Sequence, residues 1–166
     1  ADRELNRSSE CIDYQNGYDH NKTALIIATY NENEDIVDIL LRYNANPNLT
    51  CSYILRVGGG TALHIASYNG NVNIVEKLLA NRNIDPNIVN RGGKTPLYIA
   101  SSINNLNIVE QLVAAGADIN REKQNSESQF VLDSPLIVAI ENNFIEIINY
   151  LLASGADPNM ETINVL

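Results

Sequence analysis

Hydrophobic and polar positions along this chain fall into a pattern that returns four times. It begins TALIIATYNENEDIVDILLRYNANPN at Thr23, TALHIASYNGNVNIVEKLLANRNIDPN at Thr61, TPLYIASSINNLNIVEQLVAAGADIN at Thr95 and SPLIVAIENNFIEIINYLLASGADPN at Ser134. Each copy carries two apolar runs spaced by three and four, as one face of a helix requires. In the second copy these are Leu63, Ile65 and Ala66, then Ile74, Val75, Leu78 and Leu79. Both predicted helices are too short to persist alone in water, so each must lean on its neighbours. Small residues at Ala28, Ala66, Ala100 and Ala139 would let the backbones approach. Thr or Ser opens each first helix, with Pro96 and Pro135 next at the first helical position, which is a strong start signal.

Between the helices stand Asn31 to Asn33, Asn69 to Asn71, Asn104 with Asn105, and Asn142 with Asn143, residues that accept left-handed backbone or cap the next helix. Glu32 sits where Gly70 does, and its lack of such tolerance predicts a slightly different turn. After the second helix, Gly116-Ala117-Asp118, Gly155-Ala156-Asp157 and Asn44-Ala45-Asn46 fit a left-handed C-terminal cap. The phrases TALHIA, TPLYIA, IVEKLL and GADIN together resemble the ankyrin repeat, from about Gln15 to the C-terminus. The resemblance implies an all-α repeat solenoid of helix–turn–helix units joined by β-hairpin-like loops. Its predicted divisions are a partial upstream repeat with a connecting hairpin over 1–22, then repeats over 23–60, 61–94, 95–133 and 134–166.

The copies disagree in informative places. Their openings are separated by 38, 34 and 39 residues. The surplus falls in two connecting hairpins, LTCSYILRVGGG and REKQNSESQFVLD, with one further residue in the turn NRNID. Loops tolerate insertion at small entropic cost, and drift alone could enlarge them. Yet Tyr53, Ile54, Leu55, Phe130, Val131 and Leu132 are apolar, so these segments either pack on the helices or meet a partner. The phrase CIDYQ aligns with GADIN, placing Gln15 at the position of its asparagine. Copy four is strongly apolar through Ile137, Ile140, Phe144, Ile147, Ile148 and Tyr150, and METINVL ends on Val165 and Leu166. These ends suggest a portion of a longer protein, a short array with imperfect caps, or an array capped by self-association through its terminal repeat.

Charge narrows the partner classes. A formal net charge of −9 and a pI near 4.6 argue against nucleic acid and anionic membrane, and would steer basic partners. No apolar run is long enough to span a bilayer. Ala1 does not begin a signal peptide, so a cytoplasmic setting is the expectation, with secretion after signal cleavage left open. The abundance of Asn, Ile and Tyr suggests an AT-rich genome, including that of an intracellular microbe or large DNA virus acting in a host cytosol. Cys11 and Cys51 are the only cysteines, too few for a disulfide framework; a bridge between hairpins is conceivable, with reduced thiols the default. Asn6, Asn21 and Asn48 open glycosylation sequons that an asparagine-rich chain generates by chance.

Catalytic constellations are not assembled, and no enzyme activity, cofactor or metal is expected. Gly92-Gly93-Lys94-Thr95 imitates the end of a phosphate-binding loop, but Ile88 stands where a glycine is required, and Thr95 is already explained as a cap. Gly58-Gly59-Gly60 reads as a flexible hairpin. His20 and His64 are the only histidines, and His64 takes a position that the resemblance makes structural, bonded to neighbouring backbone. Glu34, Asp35 and Asp38 form a solvated helix face, the first two favouring a helix N-terminus. Leu112 followed by Asp118-Ile119-Asn120 is similar to the pattern around ankyrin asparagines that oxygenases hydroxylate; the plainer reading has such asparagines holding the turn.

The resemblance also implies a concave binding face made of hairpin tips and first helices. By position it comprises Tyr18, Asp19, His20, Lys22, Tyr30 and Asn31 in copy one, and Val57, Gly58, Tyr68 and Asn69 in copy two. Copy three supplies Arg91, Lys94, Ser102 and Ile103, and copy four Phe130, Val131, Asp133, Glu141 and Asn142. Tyr30 and Tyr68 hold the same position in adjacent copies, and tyrosine offers large contact area at low ordering cost. They either anchor a ligand or cover the seams between repeats. The expected function is a scaffold binding a protein or peptide, with a regulatory segment docking inside a multidomain enzyme or channel as the alternative.

Overall fold

The computed structural model describes residues 13–15, 20–54, 57–122 and 133–159. Each copy folds there into a helix pair: α1 (Ala24–Tyr30) with α2 (Glu34–Arg42), α3 (Ala62–Asn69) with α4 (Val72–Leu79), α5 (Pro96–Ser102) with α6 (Leu106–Ala114), and α7 (Pro135–Glu141) with α8 (Ile145–Ala153). The caps explain the starts. Hydroxyls of Thr23, Thr95 and Ser134 accept from the amides of Ile26, Tyr98 and Ile137 at 3.1–3.2 Å. Side chains of Asn33, Asn71 and Asn105 do the same for α2, α4 and α6, accepting from Ile36, Ile74 and Ile108 at 3.0–3.2 Å. In the last pair Phe144 replaces the capping asparagine and packs against the core.

The turn at Glu32 is the same as the others, contrary to expectation. Glu32 adopts φ 55°, beside 73° at Gly70, 61° at Asn104 and 57° at Asn143. The following amides of Asn33, Asn71, Asn105 and Phe144 all return to the carbonyl of the buried alanine, Ala28, Ala66, Ala100 or Ala139. Geometry is imposed by the helix pair, and Glu32 bears the left-handed strain. Asn44, Gly116 and Gly155 take the expected left-handed caps at φ 63°, 86° and 98°.

Stacking of pairs explains every further burial. Four residues past each opening cap, Ile65, Ile99 and Val138 are buried against the preceding pair while Ile27 is exposed; thirteen past it, Ile74, Ile108 and Ile147 are fully buried while Ile36 is 45% exposed. The opposite face shows the converse. Thr29, Ser67 and Ser101 are fully buried against the following pair, while the equivalent Ile140 is 51% exposed. First helices pack on one another more extensively than second helices do, so the stack is tighter along the first-helix side.

Connecting loops form no strand among the described residues. The first enlarged loop is closed by an antiparallel bridge between Cys51 and Gly60, with bonds of 2.9 and 3.0 Å. Gly58-Gly59-Gly60 is a packed turn instead of a flexible tip. A Cβ on Gly59 would meet the Cys51 carbonyl at 2.5 Å and one on Gly60 the His64 ring at 2.9 Å, and both have positive φ. Ile54 is buried in the core, which settles the apolar character of that part of the insertion in favour of packing, while Tyr53 is exposed. Leu55, Phe130, Val131 and Leu132 lie outside the described residues.

Relief of the strain at Glu32 is measurable. Glu32→Gly should stabilise the fold by about 1 kcal/mol, the cost of left-handed backbone for a residue with a Cβ, less the glycine's larger unfolded-state entropy. Denaturant unfolding reads the effect; a loss of stability would show that the Glu32 backbone is not strained.

Candidate partner-binding surface

Repeats are tied to one another by polar groups at both edges, on a regular register at the asparagine edge. At the hairpin edge of copy two, His64 is fully buried. Its Nδ1 accepts from the Thr61 amide at 3.1 Å, and its Nε2 lies 3.1 Å from the Lys94 carbonyl of the next hairpin. Only the neutral tautomer with the proton on Nε2 satisfies both bonds, since a carbonyl can only accept. Burial accordingly depresses its pKa to about 4. In copy three Tyr98 takes the same place, and its hydroxyl donates to Asp133 Oδ2 at 3.2 Å. Burial raises the Tyr98 pKa, and the Asp133 charge raises it further. Lys94 Nζ lies 5.3 Å from the centre of the Tyr98 ring.

Asparagine does the tying at the other edge. Asn48 accepts from the Asp85 amide at 2.9 Å and donates to the Asn83 carbonyl at 2.6 Å. Asn87 repeats this with Asp118 and Gly116, and Asn120 with Asp157 and Gly155. These side chains reach across to the next repeat, a stronger use than holding their own turns. At the upstream end the acceptor for the equivalent amide, that of Asn46, is Asp13 at 2.8 Å. Asp13 therefore takes the ladder position, and Gln15, aligned there by sequence, donates instead to the Thr50 carbonyl at 3.0 Å.

The residues predicted for the binding face differ in exposure. His20, Tyr30, Asn31, Arg91, Glu141, Asn142 and Gly58 are exposed, and Lys22, Tyr68, Asn69, Lys94, Ser102 and Ile103 are half-buried. Two assignments are corrected. Val57 is only 6% exposed and belongs to the core, its carbonyl accepting from Asn90 at 2.6 Å. Asp133 is 8% exposed and engaged by Tyr98, so it joins two repeats instead of greeting a ligand. Tyr18, Asp19, Phe130 and Val131 lie outside the described residues. The tyrosine pair divides: Tyr30 is 49% exposed, while Tyr68 packs one side against the core.

Two residues that organise this surface escape the repeat pattern. Asn90 is buried, donates to Val57 and accepts from the amides of Gly92 and Lys94 at 2.9 and 3.0 Å, shaping the third hairpin. Its signal was the Asn-x-Gly turn chemistry of NRGGK. Tyr98 could have been suspected from its alignment with His64. The cysteine thiol at Cys51 is buried, which raises its pKa, and it donates to the Gly60 carbonyl at 3.4 Å. Cys11 lies outside the described residues.

Charges of both signs occur on the second helices, where Arg42 and Lys77 accompany the carboxylates. Glu34, Asp35, Asp38, Glu76, Glu110 and Glu146 ride on the second helices, whereas Lys22, Arg91 and Lys94 stand at the hairpins. Among the described residues no group of three or more His, Cys, Asp or Glu side chains is placed to hold a metal, and no helix is long and apolar enough to cross a membrane.

A stack of helix pairs with polar ladders at both edges defines a helical repeat solenoid. The family model for ankyrin repeats (3 copies) matches residues 4–90, 52–123 and 83–162, and the chain belongs to that family. Ankyrin repeats serve as protein–protein interaction modules, typically without enzymatic activity. No curated protein matches the chain.

The buried histidine gives the fold an acid dependence. Unfolded, His64 takes up a proton near 6.5; folded, near 4, so protons favour the unfolded chain between those values. Its stability contribution is complete above about pH 6.5 and falls by about 1.4 kcal/mol per unit as pH drops towards 4. Proton NMR of the imidazoles should show His64 still neutral at pH 5; a His64 midpoint near 6.5 would overturn this.

Proposed function

We propose that the chain is a scaffold that binds a protein or peptide on the side formed by its hairpins and first helices. The observation that carries this reading is Tyr30, a large amphipathic side chain 49% exposed at the end of α1. Its counterpart Tyr68 lies at the end of the adjacent α3, so an incoming chain meets a rigid aromatic step. Ser102 and Glu141 continue the same position on α5 and α7, making aromatic contact strongest in the first two repeats. First helices pack on one another more closely than second helices do, which favours a ligand that touches several repeats along that side.

Affinity capture with the wild-type array and a Tyr30→Ala/Tyr68→Ala variant tests the proposal. Partner capture should fall at least tenfold. Tyr30→Ala alone should leave the unfolding free energy nearly unchanged, and Tyr68→Ala should cost about 1 kcal/mol for its half-buried ring. Leu78→Ala supplies the contrast, costing about 2–5 kcal/mol as a core cavity without removing any surface contact. Undiminished capture by the double variant would defeat the proposal.

A second reading, self-association, draws on the outward face of the last pair, where Ile140, Ile145 and Leu152 are exposed. Light scattering after size exclusion should then show mass rising with concentration, and Ile145→Asp should hold the chain at monomer mass. A constant monomer mass for the wild type removes this reading.

A further inference from the structure

Between the first two connecting loops lies a cleft of about 300 Å³ lined by Asn21, Thr50, Ser52, Gly60, Asn90 and Arg91, with Cys51 and Val89 completing its wall. Its chemistry is one-sided. Among the described residues that line it, Arg91 is the only charged one and none is a carboxylate. The Arg91 guanidinium is exposed, and its Nη1 makes a long 3.5 Å bond to the Ser52 carbonyl, which places the group over the cleft.

Donors complete the pattern. Asn21 and Thr50 bring an amide and a hydroxyl to the rim, while the Ser52 hydroxyl donates to the His20 carbonyl at 3.2 Å. Asn90 spends its polar atoms within the protein, on Val57, Gly92 and Lys94, so it shapes the wall. The rim has a firm framework. His20 accepts from the Ser52 amide at 2.8 Å, its ring stands 5.4 Å from that of Tyr53, and the Cys51–Gly60 bridge fixes the floor. Asn21 is held with positive φ, which fixes the backbone that carries its amide.

We infer that this cleft receives a carboxylate side chain from an acidic segment of a bound peptide. A guanidinium fork matches a carboxylate's two oxygens, and neighbouring amide and hydroxyl donors fit its remaining lone pairs. The cleft is at the small end of ligand sites and suits one side chain of a longer ligand. Nucleic acid is the poorer fit, because it demands a broad basic footprint and this chain carries a net charge of −9. That net charge would steer basic chains at long range, but none of the described residues lining the cleft is a carboxylate. With a screening length of roughly 10 Å at 0.1 M salt, the Arg91 guanidinium at the cleft acts on a ligand there more strongly than distant carboxylates do.

The inference rests on the scaffold reading and names the chemistry of its ligand. The test uses three labelled probes, hexaglutamate, hexalysine and hexathymidylate, followed by binding anisotropy and by amide NMR shifts of the whole chain. Hexaglutamate should bind best, with shifts concentrated at Asn21, Ser52 and Arg91. Arg91→Glu should weaken it at least tenfold and Arg91→Lys several-fold, both with unchanged melting temperature, as expected for an exposed side chain. Preference for hexalysine or hexathymidylate overturns the assignment. So does hexaglutamate binding that Arg91→Glu leaves intact, or the absence of any shift at the cleft. If the acidic peptide moves only resonances of Tyr30 and Tyr68, the cleft assignment falls while the scaffold reading stands.

Discussion

Everything in this fold depends on the seam between neighbouring helix pairs. A pair of helices seven to nine residues long has too little interior to close a core of its own. Burial is completed only when the residues facing forward from one pair meet those facing backward from the next. The clearest demonstration is a single register position. Isoleucine thirteen residues past the opening cap is wholly buried in three copies, yet Ile36, identical in type and helix, is 45% exposed. What differs is the neighbour.

That dependence explains the distribution of polar groups. Helix interiors and seams cannot leave donors and acceptors unpaired without cost, so the seams are edged with bonds that cross between repeats. One edge uses the asparagine ladder from Asn48 to Asn120, with Asp13 as its upstream member. The other uses whatever residue occupies the His64 position, histidine to a carbonyl in copy two and tyrosine to a carboxylate in copy three. In copies one and four that position is isoleucine, Ile26 and Ile137, and no polar tie is made there by the side chain. The hairpin edge is therefore chemically different at each junction, while the ladder edge is nearly uniform.

Helix positions, caps, left-handed turns and the core stripe were legible in the sequence because they follow from a pattern repeated four times. Individual loop residues were not. Val57 was assigned to the surface by position, but the enlarged loop folds Ile54 and Val57 back on the core, an outcome decided by packing that no alignment of copies encodes. Asp133 read as a hairpin-tip charge because its buried partner, Tyr98, is 35 residues away. Glu32 misled in the opposite sense: residue preference predicted a different turn, and the rigid geometry of the helix pair overrode it at the expense of local strain. Glycines 58–60 looked like a flexible tip, and Gly59 and Gly60 prove to be required by close contact with Cys51 and His64.

The same contrast bears on how such a chain acquires specificity. Seam residues are constrained by both neighbours, so they vary little in kind; the hairpins and the ends of the first helices meet only one neighbour and the solvent. It is there that this chain places its departures from regularity: an aromatic pair at Tyr30 and Tyr68, cations at Lys22, Arg91 and Lys94, and an enlarged loop folded beside a polar cleft. Carboxylates are spread over the second helices, at Glu34, Asp35, Asp38, Glu76, Glu110 and Glu146, and over the asparagine-ladder edge, at Asp85, Asp118 and Asp157. A uniform scaffold with an irregular rim can change its ligand by changing a few side chains, since exposed ones such as Tyr30 and Arg91 stand outside the core.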